Sequence, residues 1–126
     1  MKYKISTDDA PKAEGLLSQG IVSNSFVFIS GQIHSKPDGT IVNGSTEEKT
    51  HQIMQNLEAI LKAAGSDFSK VVKATLYVTD MSLGVKVNEV YKTYIKEEPL
   101  PAREMVRVEE LPLGANIEIS MVATVD

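Results

Sequence analysis

Two side chains in this sequence have the type and setting for chemistry on a small charged molecule, Arg103 and Glu118. Arg103 follows Pro101-Ala102, a stiff and extended lead-in that would fix where the guanidinium emerges at the start of a strand. A guanidinium is a planar fork that donates two parallel hydrogen bonds and never loses its charge, which suits it to a carboxylate. Glu118 lies where Ile117, Ile119, Met121 and Ala123 alternate with Asn116, Glu118, Ser120 and Val122. It therefore sits on the second face of a strand, where a carboxylate must be paired, hydrogen-bonded or used. Taken singly, each has an ordinary reading: a surface charge for the arginine, a structural ion-pair partner for the glutamate.

The remaining polar groups carry less. Ser30 before Gly31 reads as a strand-end turn, and Asp8-Asp9 as a solvated pair. His34 and His51 fall in a loop and at a helix start, with no cysteine beside them, so no metal site is expected. No phosphate-cradling glycine pattern occurs. The absence of cysteine excludes disulfides and thiolate chemistry. A net charge of −4 opposes association with phosphate backbones, so nucleic acid is not an expected partner. No apolar run is long enough for a membrane span, and the start Met-Lys-Tyr-Lys-Ile-Ser lacks the apolar core of a secretory signal. A cytoplasmic protein is expected, with residues 1–126 forming one domain around one core.

The elements that must position these groups follow from local pattern. Tyr3 and Ile5 alternate with polar residues as a first strand, Asp8 to Glu14 form a polar loop, and a second strand runs through Leu16 and Leu17. Ser25 to Ser30 is β-branched and aromatic and closes at Gly31, and Pro37-Asp38-Gly39-Thr40 is a turn. Ser45 with Glu48 makes a capping box, after which Ile53, Leu57, Ile60, Leu61 and Ala64 recur at helical spacing up to Gly65. Val71 to Val78 reads as a central strand, and a second helix from about Leu83 to Ile95 carries Val87, Val90, Tyr91 and Tyr94 inward before Pro99 and Pro101. Strands around Met105–Val108 and Ile117–Val125 complete a β-β-α-β-α-β-β order, an α+β domain with two helices on one face of a mixed sheet. In the central strand Val72, Ala74, Leu76 and Val78 are expected under the helices, opposite Val71, Lys73, Thr75 and Tyr77. Two helices cover only one side of such a sheet. The other side calls for a partner, and a further copy of the chain is the simplest one.

Several stretches in register resemble the RidA family, also called the YjgF or reactive-intermediate deaminase family. They are Phe28-Ile29-Ser30-Gly31-Gln32-Ile33, Gln55-Asn56-Leu57 with Ala64-Gly65, and Val71 to Val78 with Asp80-Met81. Asn88-Glu89-Val90-Tyr91, Pro101-Ala102-Arg103 and Leu111 to Ala115 with Ile117-Glu118-Ile119 complete them. The resemblance implies a chorismate-mutase-like fold and a homotrimer with a central barrel and clefts between subunits. It also implies hydrolysis of enamines and imines such as 2-aminoacrylate to 2-oxo acids and ammonia, without cofactor or metal. Carried over by position, Arg103 would grip the substrate carboxylate and Glu118 would position or activate water. Ser30 and Gly31 would line the pocket, Asn88 would shape the cleft, and the Met105 backbone would bond to the substrate nitrogen.

The chain departs from the family pattern at four places. Leu17 stands where a pocket tyrosine is expected, Glu104 replaces a serine or threonine, Met105 replaces cysteine or threonine, and Gly84 stands where an aromatic is common. Leu17 and Glu104 would alter the site, the second by adding negative charge beside Arg103. A non-catalytic binder of 2-oxo acids is the alternative these changes leave open.

Overall fold

A computed structural model describes all 126 residues. Six strands form one sheet: β1 (Lys2–Ile5), β2 (Gly20–Ser23), β3 (Phe26–Ile33), β4 (Val71–Val78), β5 (Ala102–Arg107) and β6 (Ile117–Thr124). Their spatial order is β1-β2-β3-β6-β4-β5, and only β4 and β5 run parallel. Two helices, α1 (Thr46–Ala63) and α2 (Gly84–Tyr94), make the crossovers from β3 to β4 and from β4 to β5.

Three strands precede α1, one more than the β-β-α order expected. Leu16 lies in a turn and Leu17 just beyond it, both exposed, and the second strand forms instead at Gly20–Ser23. Ser25 is not in a strand either. Asn24 (φ 51°) and Ser25 (φ 69°) form the two-residue connection between β2 and β3, where Ser23 pairs with Phe26.

Helix α1 forms as its sequence dictates. The Ser45 side chain accepts from the Glu48 amide and the Glu48 carboxylate accepts from the Ser45 amide, satisfying two orphan donors. At the other end Gly65 (φ 76°) adopts the left-handed turn, with Ser66 N–H donating to Leu61 O and Gly65 N–H to Lys62 O. Ile53, Leu57, Ile60 and Leu61 are fully buried between these caps and meet Val27, Ile29, Ala74, Leu76, Ile117, Ile119 and Met121 from the sheet. Ser45→Ala should lower stability by about 1 kcal/mol in a urea titration, with no change in fold.

The faces of β4 differ from expectation at one end. Ala74, Leu76 and Val78 are buried as expected, but Val71 is buried and Val72 is 42% exposed. The register against β6 slips between Val71 and Lys73, and that irregularity exchanges the two valines. The helix-free face consequently presents Phe26, Phe28, Val72 and Val106, all exposed large apolar residues.

Candidate active site

The residues singled out from sequence fall into two groups. The first is built on the helix-free face around an irregularity in β3. Phe26 and Phe28 point out and Val27 and Ile29 point in; the pairing with β6 then shifts between Ile29 and Gln32. Because of that shift neither Ser30 nor Gly31 turns into the core, while Gln32 does. Glu118, paired with Ile33 and Tyr77, projects from the same face. Its carboxylate lies directly on Gly31: a β-carbon there would come within 2.3 Å of Oε2. Glycine at 31 is thus the condition for Glu118 to hold this position.

The segment carrying Leu17 is tied to the same strand. Ser30 Oγ donates to Ser18 O (2.6 Å), and Ser30 N–H donates to Gln19 O (2.9 Å). Buried Gln19 accepts from Thr7 N–H and donates to the carbonyls of Thr7, Ala10 and Pro11, anchoring the loop. Leu17, Phe28 and Ser30 then share the wall of an open depression of about 650 Å³.

The second group lies on the helix side of β5. Arg103 is in register with Ala74, and Ala74 with Met121, both core residues of the helix-covered face. Its Nη2 donates to Asn88 Oδ1, and its guanidinium carbon lies 4.6 Å from the centroid of the Tyr91 ring. No carboxylate of the chain pairs with it. Met105 follows on the same side of β5, with its sulfur 3.2 Å from where a β-carbon at Gly84 would be. The departures at 84 and 105 are therefore complementary, since the thioether fills the space left by the missing side chain.

Glu104 does not act on Arg103 as expected. Strand alternation sends it to the opposite face, where it pairs with Lys73 Nζ at 3.1 Å. It is paired there, and no carboxylate lies within ion-pair distance of the guanidinium.

Within one chain, then, Glu118 sits on Gly31, next in sequence to the Ser30 that borders Leu17, while Arg103, with Asn88 and Met105, lies on the opposite face of the sheet. Electrostatics differ as well. Burial raises the Glu118 carboxyl above its ordinary range, and no ion pair within the chain opposes that shift. A carboxyl in this state is a better proton acceptor once ionised. His34 is buried, its Nδ1 facing Val42 O (2.9 Å) and its Nε2 accepting from Asn116 N–H (3.2 Å), so both ring nitrogens serve the fold. Desolvation lowers its pKa. His51 bonds to the Tyr94 hydroxyl. No group of three or more His, Asp or Glu side chains is arranged to hold a metal.

Two contributors escaped the sequence reading. Tyr91 is in the core as its spacing indicates, and its contact with Arg103 is signalled in the sequence only by its i, i+3 spacing from Asn88. Gln19 follows the stretch expected to form the second strand through Leu16 and Leu17, and no local pattern announces a buried amide.

Residues 7–125 match the family model described as Endoribonuclease L-PSP. The chain is 44% identical to Reactive Intermediate Deaminase A, chloroplastic, of Arabidopsis thaliana, over 98% of this chain and 66% of that protein. It is also 44% identical to the 2-iminobutanoate/2-iminopropanoate deaminase of Rattus norvegicus, over 94% of this chain and 87% of that one. The crystal structure of yeast Mmf1 superposes with a TM-score of 0.96 at 35% identity, covering all of both chains. No helix is long and apolar enough to cross a membrane. With a two-helix, six-stranded fold shared across its length and relatives this similar, the chain belongs to the YjgF/RidA family, the family of the Endoribonuclease L-PSP model.

Proposed function

We propose that the protein hydrolyses reactive enamines and imines of the 2-aminoacrylate, 2-iminopropanoate and 2-iminobutanoate type to 2-oxo acids and ammonia, at sites shared between copies of the chain. The observation that carries this reading is the division of the site. Arg103 is an unpaired cation on a helix-side edge, and Glu118 is a half-buried carboxylate on the helix-free face. One substrate can meet both only if a second copy brings its face to the first copy's edge. The exposed apolar residues of the helix-free face favour such packing, and a closed homotrimer satisfies it with every site equivalent. The names of the Arabidopsis and rat relatives support the reaction. A cytoplasmic setting, with neither nucleic acid nor membrane as partner, is part of the proposal.

In the shared site Arg103 donates two parallel hydrogen bonds to the substrate carboxylate and fixes the imine carbon opposite Glu118. The carboxylate takes a proton from water as the water oxygen bonds to that carbon, giving a tetrahedral carbinolamine. That proton passes to nitrogen to complete the amino group. The carboxylate then takes the hydroxyl proton of the carbinolamine and returns it to nitrogen as the C–N bond breaks, so ammonia leaves and the carbonyl of the 2-oxo acid forms. Ser30, Gly31 and Leu17 border the reacting centre, Asn88 orders the arginine, and the Met105 backbone faces the nitrogen. Ribonuclease chemistry fits less well, because His34 is fully engaged in the fold and the chain is acidic.

The test measures pyruvate release from freshly generated 2-aminoacrylate, then mixes two inactive variants. Arg103→Ala and Glu118→Gln subunits, unfolded together and reassembled at equal ratio, should recover about one quarter of wild-type activity, because half the arginine donors and half the glutamate donors are intact. Wild-type rates equal to buffer for several amino-acid-derived imines would defeat the deaminase reading and leave a 2-oxo acid binder. Mixed assemblies as silent as their parents would defeat the shared site.

A further inference from the structure

We infer that Tyr91 is a positioning residue whose ring, together with the Asn88 amide oxygen, sets the plane of the Arg103 guanidinium before a ligand arrives. The inference rests on the carboxylate-clamp reading above and adds a residue to it.

Arg103 stands on β5, an edge strand, and is exposed. A long side chain in that setting samples many rotamers and loses that freedom on binding, which weakens affinity unless it is already ordered. Here two residues of one helix turn order it. Asn88 and Tyr91 are three apart on α2 and address different parts of the guanidinium: Asn88 Oδ1 accepts from Nη2, and the Tyr91 ring lies 4.6 Å beneath the central carbon. The contacts are complementary. The ring face supports the guanidinium centre and the amide holds one of its terminal nitrogens. Asn88 uses one of five N–H donors, so one edge of the fork keeps two parallel donors for a carboxylate.

The Tyr91 hydroxyl separates this role from ordinary packing. Tyr91 is 7% exposed, and its hydroxyl is buried without a hydrogen-bond partner. An unpaired buried hydroxyl is unfavourable, so it does not account for the residue's presence. The aromatic face, in contact with a cation that has no carboxylate partner, is the working part.

The experiment compares Tyr91→Phe, Tyr91→Leu and Asn88→Ala with the wild-type full chain. The first readout is the order parameter of the Arg103 Nε–H group by 15N NMR, its signal assigned by its loss in Arg103→Lys. The second is the dissociation constant for 2-oxobutanoate by calorimetry, with imine turnover alongside. Wild type and Tyr91→Phe should show an ordered Nε–H and affinities within about twofold of each other. Tyr91→Leu should release the group and weaken binding roughly fivefold, with the loss of turnover in KM rather than kcat. Asn88→Ala, an exposed change, should act in the same direction. Should Tyr91→Leu fail to fold, Tyr91→Met refills the volume without a ring.

A mobile Arg103 in the wild type would overturn the inference, as would unchanged order and affinity in the ring-less variant. Tyr91→Phe failing as badly as Tyr91→Leu would assign the work to the hydroxyl and overturn it too. An ordered Arg103 released by loss of the ring, with no 2-oxo acid bound by any form, would uphold positioning while the clamp reading fails.

Discussion

Arg103→Ala is expected to lower kcat/KM for 2-aminoacrylate or its imine by about a thousandfold, the effect of removing one partner from a desolvated, two-pronged charge pair. The expectation follows from what the guanidinium does in the free protein. It forms no ion pair, its acidic neighbour in sequence is committed to Lys73, and its contacts are one amide oxygen and one ring face. Its removal therefore costs the fold little, under about 1 kcal/mol, as for other exposed positions outside the core. Arg103→Lys should fall between the two, because an ammonium keeps the charge and loses the fork. The measurement pairs initial rates of 2-oxo acid formation with thermal melts. A variant that melts with the wild type yet has lost its turnover meets the expectation, and an alanine variant that still turns over removes Arg103 from the site.

The fold was largely legible wherever a local rule decides structure. The capping box at Ser45 and Glu48, the left-handed Gly65 and the alternation along β6 appear where the sequence places them. The failures come from effects that depend on a neighbouring strand. Whether Val71 or Val72 is buried depends on a register slip against β6, and β2 forms at Gly20–Ser23 because it pairs with β1 and β3. The identities of the site residues came from a pattern of matching stretches; their arrangement did not. That Arg103 and Glu118 face away from each other needs the parallel β4–β5 pairing and the antiparallel β4–β6 pairing together, and neither can be read from residues in isolation. The same pairings settle Glu104, whose position next to Arg103 in sequence puts it across the sheet in space.

Glu118→Gln is expected to reduce kcat by at least a hundredfold and leave KM close to its wild-type value, since the arginine that holds the substrate is untouched. Glutamine has nearly the shape of glutamate, so it fits over Gly31 without disturbing β3, and the loss can be assigned to the missing proton acceptor. The pH profile supplies an independent check. Burial raises the Glu118 carboxyl above its ordinary value of 4.5, so the ionised, working form grows in as pH rises through the raised value, and kcat/KM should show an acid limb there. Stability should move the opposite way. A carboxyl that holds its proton more tightly when folded than when unfolded makes the native state lose stability as pH climbs from 4.5 through the raised value. Glu118→Gln removes that dependence. The variant should therefore be less active and, at neutral pH, no less stable than the wild type, with a flatter dependence of stability on pH across this window. It should still bind 2-oxo acids through Arg103. An active glutamine variant would return Glu118 to a structural role. A variant that neither turns over nor binds would mean that the carboxylate holds the cleft open and does no proton transfer within it.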